Sequence, residues 1–248
     1  MRYNMTVSPD FPPDHIAGWY IFNTWLQRQL NESIHLELYN DFQQQRTAIE
    51  DDQIDLIYAN PFDAAILVRE KGFTALAAPA GRADEAVIAV SVDSAVKAIE
   101  DLPVHCSVAS TDDPDINLIG MIMLEPADIS PDSVQVHQVD TYILVAKQLM
   151  QQKVDVGFFL AEAFDNLSAI VKSQLRELIR SQICDIRHVL LAGPRLQVQQ
   201  QEIQQILAEM GSDPKGRDVL ANIRFDSWEI LQQEDTEFMI DLMDTLVS

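Results

Sequence analysis

Glycine is scarce in this chain. Eight of the 248 residues are glycine, and none stands in a G-x-G-x-x-G or Walker A pattern, so no glycine-rich loop exists to cradle nucleotide phosphates. Basic residues are also few. Seventeen lysines and arginines face 39 acids, a formal charge of −22 that repels nucleic-acid phosphates and anionic membrane surfaces. The charge weighs against long-range attraction of anionic ligands, although backbone N–H groups and helix N-termini still bind anions locally. Two cysteines, Cys106 and Cys184, are too few for a disulfide scaffold. They read as buried thiols, to be paired only if their strands are neighbours. The histidines (His15, His35, His105, His137, His188) lack metal-binding spacing, so neither a metal nor another cofactor is expected. No apolar run approaches the roughly 18 residues that span a bilayer. Met1–Asp10 has one positive charge and no apolar stretch of the signal-peptide kind. The numbered chain therefore fits a cytoplasmic protein, a chain trimmed of a leader, or a domain of a larger receptor.

Hydrophobic residues make up 47% of the chain, enough for a folded core. They fall in alternating β-rich and helical patterns. Arg2–Val7 reads as a strand, broken by Ser8-Pro9-Asp10 and Pro12-Pro13. His15–Leu30 follows as a helix with Trp19, Phe22, Leu26 and Leu30 at helical spacing. The strand Ile34–Leu38, the helix Asp41–Asp52, the strand Ile54–Tyr58, a helix opened by Pro61 and the strand Thr74–Ala78 complete a first set. A second set holds the strands Glu85–Val92, Val104–Ala109, Ser133–Val139 and Val154–Phe159. Its helices are Ser94–Leu102, capped by Ser94, then Asp115–Leu124 and Asp140–Gln152, with helical patterns from Leu160 to Gln182. Ile186–Ala192 is a strand that returns the chain to the first set. The tail from Gln197 to Ser248 is largely helical, with Ser212 capping a helix that has Pro214 in its first turn. Gln43–Gln45 and Gln199–Gln201 read as exposed helix faces. Such alternation indicates βαβ units around mostly parallel sheets.

One stretch echoes another. Ala48–Leu56 and Leu149–Val156 both read helix, polar break, then an apolar-Asp-apolar strand start, and each leads to a loop, at Ala59-Asn60-Pro61 and Ala161-Glu162. Either two generic junctions look alike by chance, or each half holds an equivalent strand whose carboxyl end faces a ligand cleft.

These residues resemble a known family. Asp52–Phe62 (DQIDLIYANPF) is similar to the G-x-[VI]-D-[IL]-x-[YF]-x-[GN]-P segment of phosphonate/phosphate-type periplasmic binding proteins. Lys153-Val154-Asp155-Val156-Gly157-Phe158 resembles their G-x-V-D-A-G segment, and Ser212–Leu220 resembles their late D-P-x-G-[RK] helix. Val92-Asp93-Ser94 with Glu100-Asp101-Leu102 looks like the helix before a second-lobe strand. The resemblance implies a two-lobed α/β fold of the type 2 periplasmic-binding kind, joined by two crossing hinge strands. Lobe 1 would hold residues 1–87 and 190–248, and lobe 2 residues 88–189. It also implies a periplasmic protein that closes on a small solute and serves an ABC importer. The family holds phosphoryl oxygens with a loop rich in Ser and Thr and a helix N-terminus. Here that loop reads Ser110-Thr111-Asp112-Asp113-Pro114-Asp115, and the family's Ser-His pair falls near Thr141-Tyr142. Three carboxylates beside a phosphonate are unfavourable unless they point away. The partner is thus a small molecule, either a phosphonate-like anion or an amine or zwitterion.

The ligand-binding candidates lie after strands. Ser8 and Pro9 follow the first, Tyr39 and Asn40 the second, and Asn60 and Asp63 flank the helix start at Pro61. Ser110 and Thr111 follow a second-lobe strand, Tyr142 opens a helix, and Glu162 is placed to hold a ligand amine. Each also has an ordinary reading as turn, packing or cap. Catalysis is not expected: His105 and Cys106 are strand neighbours pointing to opposite faces, which forbids a nucleophile–base pair. The alternative to a transporter component is a ligand-sensing or interaction domain of a signalling receptor.

Overall fold

The computed structural model describes residues 2–10, 15–182 and 186–247. Pro12, Pro13 and Cys184 lie outside these residues, as does the expectation about a Cys106–Cys184 pair. The chain divides into two compact units, one from Met1–Arg82 with Arg187–Thr245 and the other from Ala83–Ile186. We call them lobe 1 and lobe 2.

Lobe 1 begins with β1 (Arg2–Val7), α1 (Ile16–Leu30), β2 (Ser33–Leu36), α2 (Phe42–Glu50), β3 (Leu56–Ala59), α3 (Pro61–Lys71) and β4 (Thr74–Pro79). Lobe 2 holds β5 (Ala86–Ser91), β6 (Ser107–Ser110), α4 (Pro114–Ile122), β7 (Gln135–Gln138), α5 (Tyr142–Met150), β8 (Val156–Leu160), α6 (Ala161–Asp165), α7 (Ala169–Lys172) and β9 (Leu175–Arg180). The chain then re-enters lobe 1 with β10 (Val189–Ala192), α8 (Gln200–Glu209), α9 (Pro214–Asn222), β11 (Trp228–Ile230) and α10 (Gln233–Val247).

Each lobe has one mixed sheet. The order in lobe 1 is β11-β4-β10-β3-β1-β2, and in lobe 2 it is β7-β6-β8-β5-β9. A parallel triplet, β2-β1-β3 or β7-β6-β8, forms one part of each sheet, and antiparallel strands complete it. Helices cover the sheets, so β3, β5 and β10 are buried along their whole length. Each fully buried aliphatic side chain there contributes about 1.5–3 kcal/mol.

The lobe 1 core is aromatic. Trp19 lies 4.8 Å from Tyr58 and 5.9 Å from Phe225, which in turn lies 5.0 Å from Trp228. Helix α1 approaches α9 so closely at Gly18 that an added Cβ would stand 2.2 Å from the Asn222 carbonyl oxygen. In lobe 2, Gly120 of α4 packs on the Phe158 ring, and Gly157 faces Val145 and Leu149 of α5. The two sheet faces are thereby assigned: Phe158 looks toward α4, and Phe159, clustered with Val145 and Leu149, looks toward α5.

The internal echo is physical. Helices α2 and α5 are capped alike, by Asp41 accepting from Gln44 N–H and by Thr141 accepting from Leu144 N–H. Both end in a left-handed residue, Asp52 (φ 54°) and Gln152 (φ 53°). The next residue folds back identically, with Gln53 N–H donating to Ala48 C=O at 2.9 Å and Lys153 N–H to Gln148 C=O at 3.0 Å. An aspartate then fastens the start of each following strand to its parallel neighbour. Asn4 N–H donates to Asp55 Oδ2 and Ser107 N–H to Asp155 Oδ2, each at 2.8 Å. The reciprocal bonds run from Asp55 N–H to Asn4 C=O at 2.8 Å and from Asp155 N–H to Ser107 C=O at 3.0 Å.

Several expectations need correction. Ser94–Leu102 is not a helix but an extended stretch ending in a 3-10 turn at Ile99–Asp101. The Arg176 guanidinium takes the Val92, Ser94 and Val96 carbonyls, which a helix would use internally. The helical pattern from Leu160 to Gln182 stops at α7, and β9 follows because the edge of the buried strand β5 needs a partner. The tail includes a strand, β11, paired with β4. Asp213, not Ser212, caps α9, accepting from Gly216 N–H at 3.0 Å. The strand expected over Ile34–Leu38 ends at Leu36. Gln45 is not exposed but fully buried, donating to Val7 C=O at 2.8 Å.

Asp55 is buried and Asp155 exposed, so their removal separates two strengths of one device. Asp55→Ala should lower the unfolding free energy in urea by about 1–3 kcal/mol, and Asp155→Ala by roughly 1 kcal/mol or less. Gly18→Ala, which forces α1 and α9 apart, should lower it by about 1–3 kcal/mol in the same assay.

Candidate functional site

In a sheet covered on both faces, polar side chains are affordable only where strands end. The carboxyl ends of β1 and β3 in lobe 1 lie side by side, since Ser8 N–H still donates to Tyr58 C=O at 2.8 Å. Antiparallel β10 brings its amino end to the same place, with Val189 paired to Ala59 and His188 one residue beyond.

The structure brings Ser8, Asn60 and Asp63 together there, all buried. Asn60 caps α3: its Oδ1 accepts from Asp63 N–H at 2.8 Å, and Pro61 fills the first helical position. Asn60 Nδ2 donates to Ser8 Oγ at 3.1 Å and to Asp63 Oδ2 at 2.8 Å. Arg46 from α2 completes the group, donating from Nε to Asp63 Oδ1 at 2.6 Å. Its guanidinium carbon lies 4.9 Å from the Phe62 ring centre and 5.4 Å from that of Phe42. Arg46 Nη2 is buried without a hydrogen-bond acceptor, and Gln45 Oε1 without a donor. Nearby, His188 stacks on Tyr58 with ring centres 5.3 Å apart, and its Nε2 lies 2.9 Å from Asp10 Oδ2.

In lobe 2 the corresponding ends belong to β6, β7 and β8. Ser110 closes β6, fully buried, and Thr111 follows it. Asp113 caps α4, with Oδ1 accepting from Asp115 N–H and Ile116 N–H at 3.2 Å each. Tyr142, at the start of α5, donates from its hydroxyl to Asp113 Oδ2 at 2.7 Å and stacks on Phe159. Ser110 Oγ is buried with no hydrogen-bond partner, a condition that costs about 1–3 kcal/mol. Glu162 lies in the first turn of α6, past the end of β8, half-buried. The amino end of β5 adds Glu85, whose carboxylate accepts from Ser181 Oγ.

The remaining candidates stand apart from these hydrogen-bonded groups. Pro9 lies in the turn after β1, and Asn40 is exposed. Tyr39 packs, half-buried, against the apolar cluster that holds Ala64 and Leu67. Burial, and then the charge of Glu37, raises its phenol above the ordinary tyrosine range. A groove of about 380 Å3 runs beside edge strand β2, lined by Tyr20, Asn23, Gln27 and His35 among others. It contains none of the strand-end groups. Its Gln27 and Asn23 side chains satisfy the N–H and C=O of Ile34, protecting a sheet edge. His105 is exposed while Cys106 is buried, its thiol pushed up by desolvation and by the Asp155 charge.

Arg46, Gln45, His188 and Asp113 were not singled out as contact residues from sequence. For Arg46 the signal was its spacing, four residues after Phe42 on a helix that a strand-end loop must face. Asp113 carried the Asp-Pro signature of a capped helix, which says nothing about what else its carboxylate touches.

Comparisons with known proteins bear on the fold and on the family. A search of the curated proteins finds no match. Over the whole fold the chain resembles PhnD1 of Prochlorococcus marinus, solved with methylphosphonate, at a TM-score of 0.81 and 10% identity, covering 99% of this chain and 98% of that one. It also resembles XAC2383 of Xanthomonas citri, solved with ATP, at 0.79 and 15%, with coverages of 99% and 98%. PA3383 of Pseudomonas aeruginosa, a binding-protein component of an ABC phosphonate transporter, matches at 0.75 and 15%, covering 100% and 89%. These TM-scores show a shared type 2 periplasmic-binding fold. The profile described as "ABC transporter, phosphonate, periplasmic substrate-binding protein" matches residues 5–236, and the chain therefore belongs to that family.

Proposed function

We propose that this chain is the solute-binding component of an ABC importer and takes a small polar solute at the strand ends of its lobes. The observation that carries this reading is the pair of buried polar groups just described, each left with atoms that seek a partner: Arg46 Nη2 and Gln45 Oε1 in lobe 1, Ser110 Oγ in lobe 2. Most buried polar atoms in folded proteins have a partner, so orphans gathered with other polar groups at a strand end leave room for a ligand's hydrogen bonds. The contact residues are Ser8, Asn60, Asp63 and Arg46 in lobe 1, and Ser110, Thr111, Tyr142 and Glu162 in lobe 2. Tyr39 flanks the first group. The protein partner is the membrane permease of the importer, and the compartment is the periplasm, as for the family. No catalytic role is assigned to any residue. Among the described residues no helix is long and apolar enough to cross a membrane. The family match favours transport over a sensing role in a receptor.

A thermal-shift and calorimetric panel of methylphosphonate, phosphate, alkanesulfonates, ATP, amino acids and polyamines should yield at least one ligand that raises the melting temperature. Asn60→Ala and Glu162→Ala should each weaken that ligand about tenfold or more, as loss of a charged or buried hydrogen bond does. Unchanged affinity in both variants would remove the site assignment. Arg46→Met should weaken it further and also destabilise the protein by about 1–3 kcal/mol, because Asp63 stays buried without its cation.

A further inference from the structure

We propose that the groove beside edge strand β2 docks an extended segment of a partner protein, one with alternating apolar and basic residues, whose backbone pairs with Leu36 and gives an N–H to Asn23 Oδ1. Strand β2 ends the lobe 1 sheet and is hydrogen-bonded on one side only, to β1. Successive residues of a strand point their backbone groups to alternate sides. Glu37 N–H donates to Met5 C=O at 2.9 Å, so the odd-numbered residues face β1. Ile34 and Leu36 therefore turn their N–H and C=O groups to the open edge. Side chains of α1 cover the first pair. Gln27 Oε1 accepts from Ile34 N–H at 3.1 Å, and Asn23 Nδ2 donates to Ile34 C=O at 3.2 Å. Two side-chain amides there stand in for a neighbouring strand. The next residue along that stripe of α1 is Tyr20, which has no amide to offer and is itself exposed. The cover ends at Ile34, and among the described residues no side chain closes Leu36 in the same way.

Asn23 supplies an independent sign of an occupant. It is 5% exposed and lines the groove. Its amide orientation is fixed, because the Ile34 carbonyl can only accept and so must face Nδ2. Oδ1 is then an acceptor alone, buried and without a partner. A donor entering from the groove fits it. An extended peptide supplies that donor as a backbone N–H, and along the same edge it supplies the C=O and N–H that Leu36 lacks.

Side chains of such a segment alternate between the two faces of the sheet. On the α1 face they meet the exposed Tyr20 ring and Leu38, which packs on the same cluster as Ile34 and Leu36. Ile16, also exposed, stands one helical turn from Tyr20. On the other face they meet His35 and Glu37, both exposed. Glu37 Oε2 has the His35 ring at 3.0 Å, and no lysine or arginine lines the groove. Apolar residues toward Tyr20 and basic residues toward Glu37 complement both faces. A second copy of the chain fits less well. Antiparallel pairing of two β2 strands about Leu36 would set Ile34, already capped, against Leu38 and bring together two chains of charge −22.

The test is an NMR titration of the isotope-labelled full chain with an acetylated, amidated pentapeptide of alternating valine and lysine. The expected result is a saturable shift of the Leu36 amide and of the Asn23 side-chain amide. The same peptide with its backbone N–H groups methylated, or with glutamate in place of lysine, should bind at least about fivefold more weakly. Asn23→Leu should abolish the binding. Tyr20→Ala and Glu37→Gln, at exposed side chains, should each weaken it at least about threefold, which covers the case in which Asn23→Leu does not fold. No shift at Leu36 and Asn23, or full affinity of the methylated peptide, would overturn the proposal. Shifts centred on Asn60 or Ser110 would put the peptide in the solute site and overturn it too, while leaving the solute-binding reading in place. Sedimentation of the protein alone as a dimer that Tyr20→Ala dissociates would make a second copy the occupant, against the proposal.

Discussion

A sheet covered by helices on both faces leaves its strands no room for polar side chains along their length, and the rest of this molecule follows from that constraint. Strands β3 and β10, and β5 up to its last residue Ser91, carry no charged or amide side chain, their backbone groups satisfied by neighbouring strands. Polarity gathers at the last paired position and in the residues just beyond it. Ser8, Asn60 and His188 stand there in lobe 1, and Ser110, Thr111 and Glu162 in lobe 2. A polar surface at the strand ends is thus a consequence of how the sheets are buried.

Aspartate does the fastening in both lobes, and its use accounts for part of the excess of acids. Asp55 and Asp155 tie strand starts to their parallel neighbours, Asp41, Asp213 and Asp113 cap helices, and Asp63, in the first turn of α3, holds the capping Asn60. The lobes diverge at this last step. In lobe 1 the Asp63 carboxylate is met by Arg46 Nε, while Arg46 Nη2 is buried without an acceptor. In lobe 2 the Asp113 carboxylate is met by backbone donors and a phenol. Equivalent backbone frames thereby hold their carboxylates with different donors.

The β-α alternation of both halves, the helix start at Pro61, the echo at Asp55 and Asp155 and the strand-end position of the candidate residues were legible in the sequence. Each is a local pattern: apolar period, proline at a first turn, a short polar break before an apolar run. What was not legible depended on distant partners. Leu175–Arg180 carries no turn residue to mark it as a strand, and it becomes β9 because β5 has an open edge. Ser94–Leu102 has helical spacing, and Arg176, some eighty residues later, claims its carbonyls. Gln45 looked like part of an exposed polar run until Val7 and Thr6 enclosed it.

By itself, then, the sequence determined the α/β class, the family motifs and, to within a residue or two, where most strands stop, because those are set by near-neighbour periodicity and backbone chemistry. Tertiary structure decided which strands complete each sheet and which strand-end polar groups share hydrogen bonds. It also decided whether a carboxylate such as Asp113 points away or fills the helix N-terminus. Those outcomes turn on hydrogen-bond partners tens of residues apart, which no local pattern encodes.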